Sequence, residues 1–481
     1  MQSPILGAAY VARSVNAADS RCVNLYPEVT PEGGKNKGFL TRTPGLRLLQ
    51  SVGSGPIRGL WSHRTHGDDF YVVSGSEVYK LTALDGTPTL LGTVSSSGPV
   101  SIADNGTQLF FACNGPSYIY NEATGVFGVI TDPDFPGAVI VGYLDGYFVF
   151  NEPNSEKVWV TSLLDGTAID PLEFASAEGS PDNLVAILID HREAWLFGSD
   201  SVEVWYDSGA VDFPLTRIQG AFNEIGCAAP YSVAKLDNGI FWLGSDARGQ
   251  GIVYRANGYT GQRVSTHAVE YAIGQYGDIS DAIAYTYQQE GHAFYVLSFP
   301  TAGKTWAYDV ATQSWHERAS LDGGEFTRHR SNCQCNFNGT TIVGDYLNGN
   351  IYAMELSAYS DGTIPQRWLR SWRALEPQQN NLKRSAHHTL QLDCESGVGI
   401  NETTQGNTPQ AMLRWSDDGG HTWSSEHWAS MGKIGEYGAR VIWRRLGMTQ
   451  KLRDRVYEVS GSDPVKVAII GAELALSGTN G

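Results

Sequence analysis

The 481-residue sequence has few charged side chains, few cysteines and no long apolar run. Charged residues make up 18% of the chain and apolar residues 41%, a balance that excludes a disordered chain. No run of about eighteen apolar residues occurs, so the sequence predicts no membrane-spanning helix. The first residues lack a basic segment followed by an apolar one, and we expect no signal peptide. The 55 glycines follow no period of three, which excludes a collagen-like chain.

Basic residues are scarce and unevenly distributed. The chain has 34 Lys and Arg against 51 Asp and Glu, and its net charge of −17 argues against a general nucleic-acid-binding protein. Residues 51–366 contain 14 basic and 36 acidic residues, whereas the rest of the chain contains 20 basic and 15 acidic residues. An acidic middle region therefore lies between mildly basic ends.

Six cysteines are too few for a disulfide framework in a chain of this length. Cys333 and Cys335 are the only close pair, and on a strand their thiols point to the same face, in a geometry poorly suited to a bridge. No second Cys or His pair follows at the spacing of a zinc site. We therefore expect six free thiols in a reducing compartment and no metal.

A unit of a polar turn followed by a short apolar strand recurs along the chain. Turns such as Asp145-Gly146 and Asn238-Gly239 suit type I′ hairpins, and each copy precedes a second strand with an aromatic residue near its centre. The copies lie at 68–73, 105–111, 145–150, 191–197, 238–243, 290–296 and 338–343.

Such a repeat predicts an all-β fold with a β-propeller of about seven blades. One blade cannot cover both of its faces, whereas a closed ring of blades can, and the aromatic residues would fill the gaps between blades. A β-solenoid or a pair of sandwiches is the alternative architecture, and a count of six or eight blades is left open.

The propeller is predicted over residues 51–360, with a smaller C-terminal β-sheet or sandwich domain over residues 361–481. Residues 1–50 are rich in Gly, Pro and Asn, and we expect an extended segment that packs on the C-terminal domain or on the ring. Pro365 and Pro377 bracket the expected linker. The strand candidates of the C-terminal domain are 389–393, 411–415, 440–443, 455–459 and 465–470.

One motif resembles the Asp-box of sialidases and related propellers. Ser416, Asp418, Gly420 and Trp423 fit the pattern S-x-D-x-G-x-T-W, in which the Asp accepts hydrogen bonds from its own turn and the Trp packs under the hairpin. A glycoside hydrolase is one interpretation, and a structural brace is the other. The brace is favoured because only one box is present and it lies outside the propeller repeats.

No constellation of catalytic or metal-binding residues can be assigned from the sequence. Glycosidases need two facing carboxylates, and the paired aspartates of this chain read as turns. His63 and His66 lie beside two aspartates, where a solvated loop is favoured over a metal site. His387 and His388 are neighbours on a strand and so point to opposite faces. The sequence predicts no catalytic, cofactor-binding or metal-binding residues.

Two basic clusters with interleaved aromatic residues lie in the C-terminal region. They suggest contact with a phosphate backbone or with an acidic partner. The alternative is an ordinary strand with Trp inward and Arg outward. The contrast with the acidic propeller favours a protein partner over DNA. A further basic run covers residues 451–455, and the candidate docking residues are Arg367, Arg370, Arg373, Arg440, Arg444 and Arg445.

Three motifs, in this order along the chain, resemble a known family. They are residues 21–28 together with Thr43-Pro44-Gly45-Leu46, residues 196–205, and residues 440–447 with the strands that follow to Leu476. They are similar to the packaged-DNA stabilisation proteins of short-tailed bacteriophages (podoviruses), which are also called tail hub or nozzle proteins. The resemblance covers most of the chain.

The resemblance implies a structural virion protein without enzymatic activity or cofactor. Six copies would form a ring in the short tail below the portal and its adaptor ring, retain packaged DNA and act during DNA ejection. The ring would seat the tail needle and the tailspikes or fibres, and double-stranded DNA would pass without sequence-specific binding. Assembly would take place in the host cytoplasm. An acidic propeller beside the channel would repel phosphates, which favours passage of DNA.

Two other functions remain as alternatives at this point. The Asp-box suggests a carbohydrate-active or carbohydrate-binding propeller. A propeller adaptor for protein binding, unrelated to phage, is the third hypothesis.

Overall fold

The computed structural model of the chain describes residues 1–13, 19–31, 34, 36–63, 69–95, 97–177, 179, 182–210, 213–246, 249–376, 383–401, 403–450 and 455–478. Strands make up almost all of the regular structure, which confirms the all-β prediction. The described residues contain one α-helix, His267–Ile273, and one 3-10 helix, Pro230–Ser232. Neither this α-helix nor any other described segment forms a helix of the length and apolar character that a membrane span requires.

Seven antiparallel sheets form the blades of a propeller, as the repeat predicts. Blade 1 comprises Ile57–Ser62, Phe70–Ser74, Glu77–Leu81 and Thr89–Thr93. Blade 2 comprises Ser101–Asp104, Gln108–Ala112, Ser117–Asn121 and Val126–Val129. Blade 3 comprises Val141–Leu144, Tyr147–Asn151, Lys157–Val160 and Phe174–Ser176. Blade 4 comprises Leu184–Asp190, Glu193–Gly198, Val202–Asp207 and Leu215–Asn223.

The remaining three blades follow the same order of strands. Blade 5 comprises Ala234–Leu236, Gly239–Asp246, Gly249–Asn257 and Thr260–Arg263, with Gly226–Cys227 added to its second strand. Blade 6 comprises Ile283–Gln289, His292–Phe299, Lys304–Asp309 and Ser314–Glu317. Blade 7 comprises Ser331–Phe337, Thr340–Asp345, Asn350–Glu355 and the N-terminal strand Gly45–Ser51. A separate hairpin, Ala319–Asp322 and Glu325–Arg328, joins blades 6 and 7.

The hairpin turns have the backbone conformation that their residues favour. Asp145 and Gly146 both have positive φ, at 48° and 108°, which is the type I′ geometry. In blade 5 the two residues with positive φ are Asp237 and Asn238, so the turn lies one residue earlier than the predicted Asn238-Gly239. Asn and Asp adopt the left-handed region at low cost, and this lets the turn move by one position.

The strand that follows each repeat copy is the third strand of its blade. Its aromatic residue packs into the gap between two blades, as predicted. Trp159 of blade 3 packs in one cluster with Phe110 of blade 2. Trp205 of blade 4 packs with Val149 of blade 3. Each interface is thus a hydrophobic core shared by two sheets, and burial of these faces closes the ring.

The ring closes with a strand from near the N-terminus. Gly45–Ser51 pairs antiparallel with Asn350–Glu355 and becomes the outer strand of blade 7. The boundary predicted at residue 50 falls inside this strand, so the structure places residues 45–50 in the propeller. A Cβ atom at Gly45 would lie 2.4 Å from the carbonyl oxygen of Ala358, and this close approach requires glycine.

The C-terminal domain is a sandwich of two sheets that the N-terminal segment completes. The first sheet has the order Val441–Met448, Ser385–Cys394, Ala468–Gly478, Gly38–Arg42 and Leu25–Val29, with Gln2–Ser3 also on Ala468–Gly478. The second has the order Cys22–Val23, Trp368–Arg373, Val456–Gly461, Gln410–Ser416 and His427–Ser430. Two short strands, Tyr10–Val11 and Asp19–Ser20, pair with each other. Ser360–Asp361 pairs with Ile364–Pro365 and lies parallel to the N-terminal strand of blade 7.

The sheet of blade 6 continues into the second sheet of the sandwich. Glu317, at the end of blade 6, pairs in parallel with Val23, whose strand in turn pairs with Trp368–Arg373. The result is one nine-stranded sheet that runs from the propeller to the far edge of the sandwich, His427–Ser430. One hydrophobic core extends across blades 5 and 6 and the sandwich. The linker predicted between Pro365 and Pro377 is wrong, since it contains the strand Trp368–Arg373 of the second sheet, and Pro377 lies outside the described residues.

Buried Asn24 stabilises this junction. Its backbone has a φ of 54°, and its side-chain amide donates hydrogen bonds to the carbonyl oxygens of Ala319 (2.8 Å) and Arg367 (2.7 Å). Its side-chain oxygen accepts the N–H of Ala319 at 3.0 Å. One side chain therefore satisfies backbone groups of both domains, and Asn tolerates the left-handed conformation at the turn.

Candidate functional site

The axis of the propeller holds a cavity of about 770 Å³, lined by the inner strands of all seven blades. Arg58 is buried at one end of the cavity, where its guanidinium donates to the carbonyl oxygens of Gly75 (2.6 Å) and Ser97 (2.5 Å), among others. Cavities of this volume hold small molecules, and a DNA duplex does not fit.

The carboxylates in and near the cavity are engaged by neighbouring side chains. Asp104 accepts the Trp61 indole N–H at 2.7 Å, and Asp190 forms an ion pair with Lys235. His63 lies between Asp104 (3.3 Å) and Glu122 (3.0 Å), and these two carboxylates, Asp104 first, raise the pKa of His63. Among the residues that the structure describes, Asp104 is the one carboxylate that lines the cavity, which therefore offers no pair of facing carboxylates.

The sequence candidates for a metal site are not brought together. His66 lies outside the described residues, and so does the rest of the loop of residues 64–68 that follows His63. His387 is buried and bonded to the Tyr457 hydroxyl at 2.7 Å, whereas His388 is exposed and bonded to Ser477. Within the described ranges, no three His, Cys, Asp or Glu side chains are grouped to hold a metal ion.

The Asp-box forms the turn between Gln410–Ser416 and His427–Ser430. The Asp418 carboxylate accepts hydrogen bonds from the Ser416 hydroxyl (2.7 Å), the Thr422 N–H (2.8 Å) and the Thr422 hydroxyl (2.5 Å). These bonds, that of Ser416 first, hold the pKa of Asp418 well below its usual range. The Trp423 indole donates to the carbonyl oxygen of Gly420 at 3.0 Å. The polar atoms of the motif are therefore used inside its own turn.

Of the first basic cluster, Arg370 is buried, with 2% of its surface exposed. Its guanidinium donates to the carbonyl oxygens of Ile5 (2.7 Å) and Ala8 (3.3 Å), and burial lowers its pKa. The expectation of Trp inward and Arg outward fails at this position because the N-terminal segment covers the strand on its second face. Arg370 is therefore an internal anchor of that segment and is not available at the surface for docking.

The other two arginines of this cluster are partly covered. Arg367 donates to the Ser460 hydroxyl at 3.2 Å and lies 3.5 Å from the Glu426 carboxylate. Burial lowers the pKa of Arg373, which is about half buried. Neither residue extends freely from the sandwich.

Arg440, Arg444 and Arg445 lie on the opposite edge of the sandwich, and all three are exposed. Arg444 pairs with Thr389 and Gly447 with His387, so the strand Val441–Met448 contains a bulge at Arg445, which has a φ of 60°. A bulge redirects side chains, and here it leaves two consecutive arginines in solvent. No described hydrogen bond or ion pair holds Arg444 or Arg445, whereas Arg440 donates to Gln391.

The same edge carries exposed apolar side chains. Trp428 is 62% exposed, Tyr437 78% and Met448 42%. Residues 427–448 contain four Lys and Arg and one Glu. We call residues 427–448 the basic edge, and their combination of large apolar groups with positive charge is typical of a protein-binding surface. Residues 451–454 of the further basic run lie outside the described residues, and Arg455 is buried against Asp417.

Sequence reasoning missed a set of buried arginines that join the domains. The Arg42 guanidinium donates to the carbonyl oxygens of Asp463 and Val465, each at 2.9 Å, and to that of Tyr359 at 3.1 Å. Arg318 donates to the carbonyl oxygen of Pro44 at 3.0 Å. No local pattern distinguishes an arginine that satisfies distant carbonyl groups from one that lies in solvent.

Two family models match the chain, in the same order as its two domains. The model described as "Bacteriophage P22 Gp10, beta-propeller" matches residues 1–359, and the model described as "Bacteriophage P22 Gp10, beta-sandwich" matches residues 367–477. A comparison with curated proteins gives no significant match.

Several solved structures are similar over most of their own length. The N-terminal domain of Nup159 has a TM-score of 0.39 at 10% identity and covers 68% of this chain and 98% of its own. The computationally designed Ika8 protein has a TM-score of 0.40 at 14% identity and covers 70% and 99%. U3-55K has a TM-score of 0.41 at 10% identity and covers 65% and 99%. TM-scores below 0.5 do not support a conclusion about function.

Proposed function

The chain belongs to the bacteriophage P22 Gp10 family of structural phage proteins, and we propose that it is the tail hub, or nozzle, of a short-tailed phage. In this role a ring of copies, most simply six, continues the channel of the portal and its adaptor ring. The ring retains the packaged DNA until ejection and seats the tail needle and the tailspikes or fibres. The chain is a virion component, and we propose that it assembles in the host cytoplasm.

The observation that carries this proposal is the match of both domains, in order, to one structural phage family. The junction supports it, since the nine-stranded sheet and the shared core join the two domains into one body. A rigid body suits a ring component that must hold a channel open under load.

The charge distribution fits a protein that surrounds DNA without binding it tightly. Residues 51–366 contain 36 acidic and 14 basic residues, so the propeller repels phosphate groups. The axial cavity is too small for DNA, and the channel of this proposal is enclosed by the copies of the ring. The basic edge, with Arg444 and Arg445, supplies an exposed surface for an acidic protein partner.

A DNA-retention assay tests the proposal. Phage particles that lack this protein are treated with nuclease, with and without the purified chain added back. We expect particles without the chain to lose their DNA and particles with the chain to keep it. An equal amount of an unrelated acidic protein is the control for nonspecific protection. Unchanged DNA retention, together with a chain that never joins the particles, would contradict the tail-hub function.

A further inference from the structure

The outer surface of blades 2 and 3 carries an acidic and apolar region. Residues 126–134 and 165–173 contain five Asp and Glu and no Lys or Arg. Asp132 joins the two segments, since its carboxylate accepts the N–H of Ile169 at 3.0 Å and the N–H of Asp134 at 3.0 Å. We call these two segments the acidic rim.

The acidic rim also exposes large apolar groups. Leu172 is 78% exposed and Val126 is 62% exposed, and Asp134 and Asp170 are exposed beside them. The rim therefore resembles the basic edge in composition, with an apolar centre and charges around it, but the sign of the charge is opposite.

The two surfaces are carried by parts of the fold that do not adjoin each other. The basic edge includes His427–Ser430, the last strand of the nine-stranded sheet that begins in blade 6. In a ring of seven blades, blades 2 and 3 are the two that lie farthest from blade 6. A contact between the basic edge and the acidic rim would therefore join two copies and not two parts of one copy.

We propose that the basic edge binds the acidic rim of a second copy of this chain, head to tail. Arg440, Arg444 and Arg445 face the carboxylates of the rim, and Trp428 and Tyr437 pack on its exposed apolar residues. Two basic edges repel each other, as do two acidic rims, so the contact is heterologous. Heterologous contacts generate a ring when the rotation between copies closes. The inference rests on the proposed tail hub and names the contact that would build its ring.

Changes of charge on each surface test the contact. The edge variant is Arg444→Glu/Arg445→Glu, and neither arginine is held by a described bond within the chain. The rim variant is Asp134→Lys/Asp170→Asn, in which Asn keeps an oxygen for the Leu172 N–H that Asp170 accepts at 2.9 Å. We expect the wild type to associate with rising concentration in sedimentation velocity. Each variant alone should self-associate at least about tenfold more weakly, since the edge variant brings like charges together and the rim variant loses two of the five carboxylates of the rim and gains a lysine.

Mixing the two variants is the decisive measurement. In the mixture the wild-type edge of the rim variant meets the wild-type rim of the edge variant, whereas the two altered surfaces stay unmatched. One intact contact therefore remains for each pair, and we expect one-to-one pairs of the two variants, which neither variant forms alone. Lys304→Glu, an exposed charge reversal on blade 6, is the control and should associate like the wild type.

Incorporation of the same variants into phage particles separates this inference from the tail-hub function. Three results would overturn the proposed contact. They are a wild-type chain that stays monomeric, variants that associate like the wild type, and a mixture of the variants that stays monomeric. If the edge variant associates like the wild type but fails to enter particles, the basic edge binds another virion protein and not a second copy of this chain. A chain that associates, and whose variants respond to mixing as expected, supports the contact. If the same chain does not retain DNA in particles, the tail-hub function is contradicted and the contact is not.

Discussion

Arg21 and Glu317 form a bidentate ion pair at the junction between the propeller and the sandwich. The Arg21 Nε and Nη2 atoms donate to the two oxygens of the Glu317 carboxylate, at 3.0 Å and 2.8 Å. Glu317 raises the pKa of Arg21 through its charge. Because Glu317 also pairs in parallel with Val23, side chains and backbone reinforce the same junction.

Removal of the Glu317 charge should loosen this junction. Glu317→Gln keeps the size of the side chain but cannot accept two charge-assisted hydrogen bonds, and Arg21 stays partly buried without its counter-ion. We expect a loss of about 1–3 kcal/mol in the free energy of unfolding, measured by urea denaturation.

The exposed pair of Arg47 and Glu355 provides the matched control. It also joins the Nε and Nη2 atoms of an arginine to a carboxylate, with 2.7 Å between Arg47 Nη2 and a Glu355 oxygen, but it lies on blade 7 with the Arg47 side chain 53% exposed. Glu355→Gln should cost less than about 1 kcal/mol. Equal losses for the two variants would show that the junction pair has no special role.

Closure of the ring should depend on glycine at position 45. In Gly45→Ala the new methyl group would meet the carbonyl oxygens of Ala358 and Ser360, at 2.4 Å and 2.7 Å, and backbone atoms cannot move aside cheaply. We expect a loss of about 1–3 kcal/mol, measured as a lower unfolding midpoint. Gly277→Ala, where the added methyl group meets no atom, is the control and should stay within about 0.5 kcal/mol. A midpoint unchanged at position 45 would mean that the closing strand is not tightly held.

The repeat, the strands and the blade count followed from sequence because blade structure is local. A hairpin depends on its own turn residues and on alternation over a few positions, and the third-strand aromatic residues recur with the unit. The fourth strand of blade 7 could not be found in this way. Gly45–Ser51 pairs with residues about 300 positions later in the chain, and nothing near it shows which partner it takes.

The candidate site was predictable only in part for a similar reason. Arg444 and Arg445 lie in solvent, as an alternating strand with outward arginines suggests, but their adjacent exposure comes from a bulge. Arg370 occupies the same kind of pattern and is buried, because residues from the N-terminal segment supply carbonyl acceptors. The sequence pattern predicts the strand, but it does not show which distant segment packs on the second face of that strand and buries its side chains.

The stability of the protein should fall in acid partly through His316. Its ring is buried against Phe294, neither ring nitrogen has a partner among the described residues, and burial, with the nearby Arg318, lowers its pKa to about 3. The unfolded chain binds a proton near the ordinary pKa of about 6.5 and the folded chain does not. The contribution of His316 is therefore complete above pH 6.5 and is lost as the pH falls toward 3.

Comparison of wild type with His316→Phe isolates this contribution. Phe keeps an aromatic ring in the same site and cannot titrate. The wild type should lose up to about 1.4 kcal/mol per pH unit more than the variant over that range, measured by urea denaturation at each pH. Parallel pH profiles for the two proteins would show that His316 does not control acid stability.

The Asp-box offers the last prediction, because it separates a brace from a carbohydrate site. Asp418 accepts three hydrogen bonds from Ser416 and Thr422, so Asp418→Ala removes the acceptor that orders the turn. We expect faster amide hydrogen exchange over residues 416–424 and a lower melting temperature. Ser425→Ala, in the same connection, is the control, since its hydroxyl makes no described hydrogen bond, and exchange should match the wild type.

The same variant decides between the two functions that the motif suggests. As a brace, Asp418 affects folding alone, and wild type and variant should both be inactive on sialyl, fucosyl and galactosyl reporter glycosides. As a catalytic or binding group, it would give wild-type turnover that Asp418→Ala abolishes while exchange over the turn stays unchanged. The hydrogen bonds favour the first outcome, because three of the roughly four acceptor sites of the carboxylate are used by donors within its own turn.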